Sequence, residues 1–123
     1  MKILFICSQG ENRSKYLAEY LQSKGYSTDC GGVEPDGVNP LTQKKVDWAD
    51  IIIAVREHIK EEFLERFDSK GKTIFNLEVL GDPKSFPKDA QALAKKSLPD
   101  FQEKYIYSEL RKQLNKHVHK FSK

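Results

Sequence analysis

Short apolar runs alternate along the chain with segments in which apolar residues recur at helical spacing. Residues 2–7 and 50–55 are apolar on both faces, which is typical of central strands in a parallel sheet. Two weaker runs, 27–30 and 73–77, are predicted as further strands. Because strands and helices alternate, the pattern predicts an α/β protein with three layers, α/β/α, and a four-stranded parallel sheet.

The predicted helices follow from apolar spacing and from residues that start or stop a helix. Gly25 ends the first helix, while Asn39 as N-cap and Pro40 as first helical residue open a short second helix. The last third is predicted to contain a short helix and then one long helix after Pro99. The predicted helical segments are 13–24, 39–46, 59–67, 89–97 and 100–121.

Composition and charge narrow the possible classes of protein. The chain has 123 residues, which fits one domain spanning 1–123. Its net charge of +3 is too small and too scattered to indicate nucleic-acid binding, although it suits an anionic substrate. Two cysteines without metal-ligand spacing, and no signal-peptide or membrane-span pattern, favour a reducing cytoplasm and no membrane association. The oligomeric state stays open.

The loop after the first strand contains the candidate chemistry. Cys7 ends the strand and Arg13 opens a helix, with five residues between them. Successive backbone N–H groups at a helix N-terminus bind a phosphate dianion and favour the thiolate form of Cys7. The planar guanidinium of Arg13 can hold two phosphate oxygens at once. The segment therefore predicts a phosphate loop with a sulfur nucleophile, although a buried structural cysteine is the simpler alternative for Cys7.

The chain up to about residue 90 resembles the low-molecular-weight protein tyrosine phosphatases. The loop from Cys7 to Arg13-Ser14, with its strand and helix, is the specific motif of this resemblance. Four further segments are similar to those at matching places in the family, namely Leu17-Ala18-Glu19, Cys30-Gly31-Gly32, Trp48 to Ile53 with Arg56-Glu57-His58, and Asp82-Pro83.

The resemblance implies a phosphomonoester hydrolase acting on phosphotyrosine in proteins or on a small aryl phosphate. Cys7 would attack phosphorus and form a phosphocysteine, and Ser14 would donate to the thiolate. Asp82 would protonate the leaving oxygen and then activate water, with Asp89 as the fallback for this role. No metal or other cofactor is implied, because the loop and Arg13 supply the positive field. The phosphate-binding residues would be Ser8, Gln9, Gly10, Glu11, Asn12 and Arg13.

The loop departs from the family pattern at several positions. Gln9-Gly10 stand where the family has Gly-Asn, and Cys30 replaces the serine that supports that asparagine. Asn12 stands at the second loop cysteine, and Lys15 at a proline. Since glycine adopts positive φ without help from a side chain, Gly10 is predicted to preserve the shape of the loop.

The same residues leave three alternative functions open. A phosphotransferase-system IIB carrier also uses a cysteine and a glycine-containing loop, but it lacks the loop arginine. A non-catalytic phosphate-binding protein would retain the anion loop without turnover. An arsenate reductase needs further cysteines that residues 80–90 do not contain.

The resemblance also implies that Cys30 lies beneath the loop, where it either supports Gly10 or forms a reversible disulfide with Cys7.

Overall fold

A computed structural model describes residues 1–79 and 83–123 of the chain. Its four strands form one parallel sheet, as the sequence predicts, and their order is β2-β1-β3-β4. Helices cover both faces of the sheet, so the α/β/α prediction is confirmed. The strands are β1 (Lys2–Cys7), β2 (Ser27–Gly32), β3 (Ile51–Ala54) and β4 (Thr73–Asn76).

Six α-helical segments are described, together with one π-helical turn and two short 3₁₀ turns. The α-helices are α1 (Arg13–Gln22), α2 (Gln43–Trp48), α3 (Glu57–Arg66), α4 (Lys88–Lys96), α5 (Leu98–Phe101) and α6 (Ser108–Asn115). The π-helical turn is Gln102–Tyr107, and the 3₁₀ turns are Pro83–Ser85 and Val118–Lys120.

The two central strands form the buried centre of the molecule. Ile3 to Ile6 of β1 and Ile52 to Ala54 of β3 are fully buried, which explains why these runs are apolar on both faces. Parallel pairing aligns the ends of neighbouring strands, so Cys7 lies opposite Gly32, and Ile6 lies between Gly31 and Ala54. The carboxyl ends of β1, β2 and β3 therefore meet at one edge of the sheet, where ligands bind in open α/β folds.

Helix α2 begins later than its sequence predicts, and this expectation was wrong. The N-cap is Thr42, whose hydroxyl accepts a hydrogen bond from the N–H of Lys45. Pro40 instead forms a parallel bridge with Gly32, so residues 39–41 extend beside the end of β2. This tertiary pairing outweighs the local Asn-Pro signal for a helix start.

The C-terminal helix is interrupted rather than continuous. Phe101, Ile106, Leu110 and Leu114 are buried, and their spacing is five residues and then four. The step of five falls in the π-helical turn, which moves the buried face by one residue. Val118 belongs to a separate 3₁₀ turn rather than to this helix.

Membrane-spanning helices and metal-ligand clusters are both absent from the described part of the chain. In residues 1–79 and 83–123, no helix has the length and apolar character needed to cross a bilayer. The same residues contain no cluster of three or more His, Cys, Asp or Glu side chains suited to a metal ion.

Candidate active site

Hydrogen-bond donors surround the sulfur of Cys7 at the end of β1. The side chain is 6 % exposed and opens onto a cavity. The N–H of Gly10 donates to Cys7 Sγ at 3.1 Å, and the Oγ of Ser14 lies 2.8 Å from the same sulfur. Ser14 lies in the first turn of α1 and is completely buried. An N–H and a hydroxyl therefore both lie within hydrogen-bond distance of one sulfur.

The opposite side of the loop consists of backbone carbonyls, each of which accepts a hydrogen bond from residues 33–39. Because a trans peptide places C=O and N–H on opposite sides, outward carbonyls turn the next N–H groups inward. The hydrogen bonds run from Val33 N to Cys7 O at 2.9 Å, from Glu34 N to Ser8 O at 3.0 Å, from Asn39 N to Gln9 O at 3.0 Å, and from Asn39 Nδ2 to Gly10 O at 3.1 Å.

Two glycines allow the loop to lie directly against the end of β2. Gly10 has a φ of +73°, as its sequence position predicts. A Cβ atom added to Gly10 would lie 2.2 Å from the carbonyl oxygen of Asn39, and one added to Gly32 would lie 2.4 Å from the carbonyl carbon of Gln9. Both contacts are with backbone atoms, so neither position accommodates a side chain without moving the loop.

Arg13 faces the same cavity as Cys7. Its Nη1 donates to the carbonyl oxygen of Val79 at 2.9 Å, which fixes one edge of the guanidinium. Burial lowers the pKa of Arg13 from its ordinary value, and the positive charge of Arg56 acts in the same direction. Cys7 and Tyr107 oppose this shift. The guanidinium remains protonated because arginine starts from so high a pKa.

The cavity above Cys7 has a volume of about 230 Å³. Two side chains from the region after β3, Arg56 and His58, contribute to its wall. The sequence pattern does not place His58 at the site, although its position just after a predicted strand, where ligands bind in open α/β folds, was the available signal. The described lining residues are Cys7, Ser8, Gln9, Asn12, Arg13, Val55, Arg56, His58 and Ile59.

Glu11 and Asn12 of the loop have different surroundings. Glu11 lines two neighbouring depressions together with Lys15 and is outside the described lining of the cavity. The side chain of Asn12 donates to Gln102 Oε1 at 3.2 Å and accepts a hydrogen bond from the hydroxyl of Tyr107. The π-helical turn thus contacts the rim of the loop, a contact that the sequence pattern did not indicate.

Of the two carboxylates predicted as the general acid, only Asp89 lies among the described residues. Asp82 lies outside the described residues. Asp89 lies in the first turn of α4, where its carboxylate accepts a hydrogen bond from Tyr105 at 3.4 Å. Asp89 is also outside the described lining of the cavity above Cys7.

Cys30 lies behind the loop, on the edge strand β2. Its Sγ donates to the carbonyl of Gly10 at 3.6 Å, and Cys7 and Cys30 are both free thiols. Burial raises the pKa of Cys30, and the neighbouring Asp29 adds to this shift, while Lys45 opposes it. Cys30 therefore favours the neutral, hydrogen-bond-donating form.

Comparison with known proteins identifies the fold. No protein-family model matches the chain, and no curated protein matches it. Solved structures do match over almost the whole length. The YwlE arginine phosphatase from Geobacillus stearothermophilus is 20 % identical, with a TM-score of 0.57 and coverage of 99 % of this chain and 97 % of that chain.

Two tyrosine phosphatases match to a similar degree. A low-molecular-weight protein tyrosine phosphatase from Bacillus subtilis is 21 % identical, with a TM-score of 0.54 and 98 % coverage of both chains. A protein tyrosine phosphatase from Entamoeba histolytica is 18 % identical, with a TM-score of 0.57 and coverage of 98 % of this chain and 97 % of that chain. The chain therefore has the fold of the low-molecular-weight phosphatases, which confirms the resemblance predicted from its sequence.

Proposed function

We propose that this protein is a cysteine-dependent phosphomonoester hydrolase that acts on phosphotyrosine in proteins. One observation carries the proposal. Cys7 Sγ is held by the Gly10 N–H and by Ser14 at the floor of a cavity that Arg13 also lines. A nucleophile, inward N–H groups and a guanidinium at one cavity are the requirements for displacement at phosphorus.

The reaction proceeds in two displacements. In the first, the Cys7 thiolate attacks phosphorus, the ester P–O bond breaks, and Asp82 gives its proton to the leaving oxygen. In the second, water attacks the phosphocysteine, its proton passes to the Asp82 carboxylate, and the S–P bond breaks to release inorganic phosphate. The loop N–H groups and Arg13 hold the equatorial oxygens, where charge is concentrated in the transition state.

The general acid is tested by a matched pair of substitutions. Asp82→Asn retains the shape of the side chain but cannot donate the proton, so phenyl phosphate turnover should fall about 10²-fold. Asp89→Asn should leave that rate within about twofold, because Asp89 already bonds to Tyr105. The reverse result would assign the acid to Asp89.

The surroundings of the cavity favour an aryl phosphate over an arginine phosphate. The described lining contains Arg13, Arg56 and His58, together with the apolar Val55 and Ile59. A substrate guanidinium would face the guanidinium groups of Arg13 and Arg56, whereas the neutral ring of phosphotyrosine would contact the apolar side chains. Arginine phosphates are nevertheless a necessary comparison, because the structurally similar proteins include YwlE arginine phosphatases.

Substrate class is tested with two peptides of the same sequence, one carrying phosphotyrosine and the other phosphoarginine. We expect kcat/KM to be at least about tenfold higher for phosphotyrosine, and p-nitrophenyl phosphate to be hydrolysed with multiple turnovers. A preference for phosphoarginine would overturn the substrate assignment. One equivalent of released phenolate without further turnover would identify a phosphocysteine carrier instead, and phosphate binding without any release would identify a binding protein.

A further inference from the structure

Asn39 makes more contacts with the back of the phosphate loop than any local pattern suggests. Its backbone N–H donates to Gln9 O at 3.0 Å, and its Nδ2 donates to Gly10 O at 3.1 Å. Its backbone carbonyl accepts from Gly32 N–H at 2.9 Å. Its Nδ2 also lies 3.2 Å from the carbonyl oxygen of Cys30. Asn39 therefore joins the loop to the end of β2.

The two loop carbonyls that accept hydrogen bonds from Asn39 belong to the peptide groups whose N–H groups turn toward Cys7 and the anion side. Holding Gln9 O outward aims the N–H of Gly10 at Cys7 Sγ, 3.1 Å away. Holding Gly10 O outward turns the next N–H, that of Glu11, in the opposite direction and toward the anion side. If either peptide flipped, a carbonyl oxygen would face the bound phosphate, which it would repel.

Gly10 makes this external restraint necessary. Glycine occupies positive and negative φ with similar ease, so the loop residue itself does little to select one peptide orientation. The side-chain amide of Asn39 supplies the selection from outside the loop, because its donor reaches only an outward Gly10 carbonyl. Cys30 Sγ is a second but longer donor to the same oxygen, at 3.6 Å.

Lys45 determines which way the amide of Asn39 points. Its ammonium group donates to Asn39 Oδ1 at 3.1 Å and to the Cys30 carbonyl at 2.8 Å. An ammonium group has donors only, so it can bond to the oxygen of the amide and not to its nitrogen. The Nδ2 donor is thereby directed at Gly10 O. Lys45 is itself close to Asp29, with an N–O distance of 3.8 Å.

We propose that Asn39 is a positioning residue that keeps the phosphate loop in its anion-binding form, and that Lys45 orients its amide. Asn39 touches the loop backbone rather than the substrate, and acts through the Gly10 and Glu11 N–H groups. This role rests on the proposed function only in taking phosphate as the ligand.

The principal experiment compares Asn39→Leu with the wild type. Leucine is close to asparagine in shape and removes the amide without adding charge, while the backbone bond to Gln9 O remains. We expect the dissociation constant for inorganic phosphate, measured by calorimetry, to rise about tenfold, together with a shift of the Gly10 amide signal in the ¹H–¹⁵N spectrum. Asn115→Leu, at an exposed position on α6, is the matched control and should change neither.

Lys45→Met provides a test that does not alter Asn39 itself. It should weaken phosphate binding in the same direction by a smaller factor, about threefold, because the amide loses its orientation but not its donor. If Asn39→Leu fails to fold, Lys45→Met and Asn39→Ala decide the question. Phosphate affinity and a Gly10 signal unchanged in the folded variants would overturn the proposal. A wild type that binds phosphate without turnover, while Asn39→Leu binds weakly, would overturn the proposed hydrolase and leave this role intact.

Discussion

The surroundings of the two cysteines show how one loop creates opposite chemistry on its two sides. The sulfur of Cys7 accepts a hydrogen bond from the N–H of Gly10, and the thiol of Cys30 donates one to the carbonyl of the same residue. Cys7 Sγ lies on the side with the N–H groups, whereas burial and Asp29 raise the pKa of Cys30 and keep its thiol neutral. The two thiols therefore face opposite ends of the loop's peptide dipoles.

The sheet register bears on the hypothesis of a disulfide between these thiols. Cys7 lies opposite Gly32, and Cys30 lies opposite Phe5, so the cysteines are offset by two positions on adjacent strands. That offset separates their Cα atoms by about 8 Å, and a disulfide usually requires less than about 7 Å. A bond between them would require the loop and the end of β2 to move.

Replacement of each cysteine by serine should give the largest difference in kcat between the two sides of the loop. Cys7→Ser should lower kcat for p-nitrophenyl phosphate by about 10⁴-fold or more, since the hydroxyl is a much weaker nucleophile than a thiolate. Cys30→Ser should leave kcat within about threefold, because serine can still donate to the Gly10 carbonyl. Comparable losses in both variants would contradict the distinction drawn between the two sides.

Replacement of the guanidinium beside Cys7 should have the next largest effect. Arg13→Lys retains one positive charge but loses the planar pair of donors, so kcat/KM should fall about 10²-fold or more. The matched control is Arg66→Lys, because Arg66 also donates through Nη1 to a backbone carbonyl, that of Val33. We expect the control to change kcat/KM less than about twofold, and an equal loss would show that Arg13 acts only through its backbone contact.

Loss of the buried hydroxyl at Cys7 should have a moderate effect. Ser14→Ala removes one of the two hydrogen-bond partners of the sulfur and leaves the Gly10 N–H in place. We expect kcat to fall about tenfold at neutral pH, with KM nearly unchanged, because the hydroxyl acts on the nucleophile and not on the bound phosphate. A change confined to KM would contradict this assignment.

The smallest effect concerns the pH dependence of stability. Since the folded protein raises the pKa of Cys30, it binds the thiol proton more tightly than the unfolded chain does. The stabilisation is present below the ordinary thiol pKa and is lost as pH rises through the raised value. Chemical denaturation of Cys30→Ser should therefore show a weaker alkaline decline in the free energy of unfolding than the wild type, and an identical decline would refute the contribution of Cys30.

Local pattern was sufficient to predict the strands and the loop, because each of these segments is contiguous in the sequence. Residues 2–7 are apolar on both faces, and Gly10 supplies the positive φ that the loop needs. The start of α2 was predicted wrongly, because the conformation of Pro40 depends on its pairing with Gly32. The interruption of the C-terminal helix was missed as well, although the five-residue step between Phe101 and Ile106 was readable in the sequence.

The cavity wall could be predicted only in part, for a similar reason. The contributions of Cys7 and Arg13 follow from one continuous segment. Those of Arg56 and His58 depend on strand order, which places β3 beside β1. The contacts of Asn39 with the loop also depend on the tertiary structure, and its sequence neighbours indicate a helix cap instead.

Because Gly10 and Gly32 approach so closely, we expect the loop to keep its conformation only beside the end of β2. A synthetic peptide spanning only β1, the loop and α1 would lack the wall on which the loop rests, and a graft onto another sheet would need the same two gaps in side-chain volume. A search for further chains of this kind should therefore require more than the Cys-to-Arg spacing. It should also demand glycine at position 32 and asparagine seven residues beyond it.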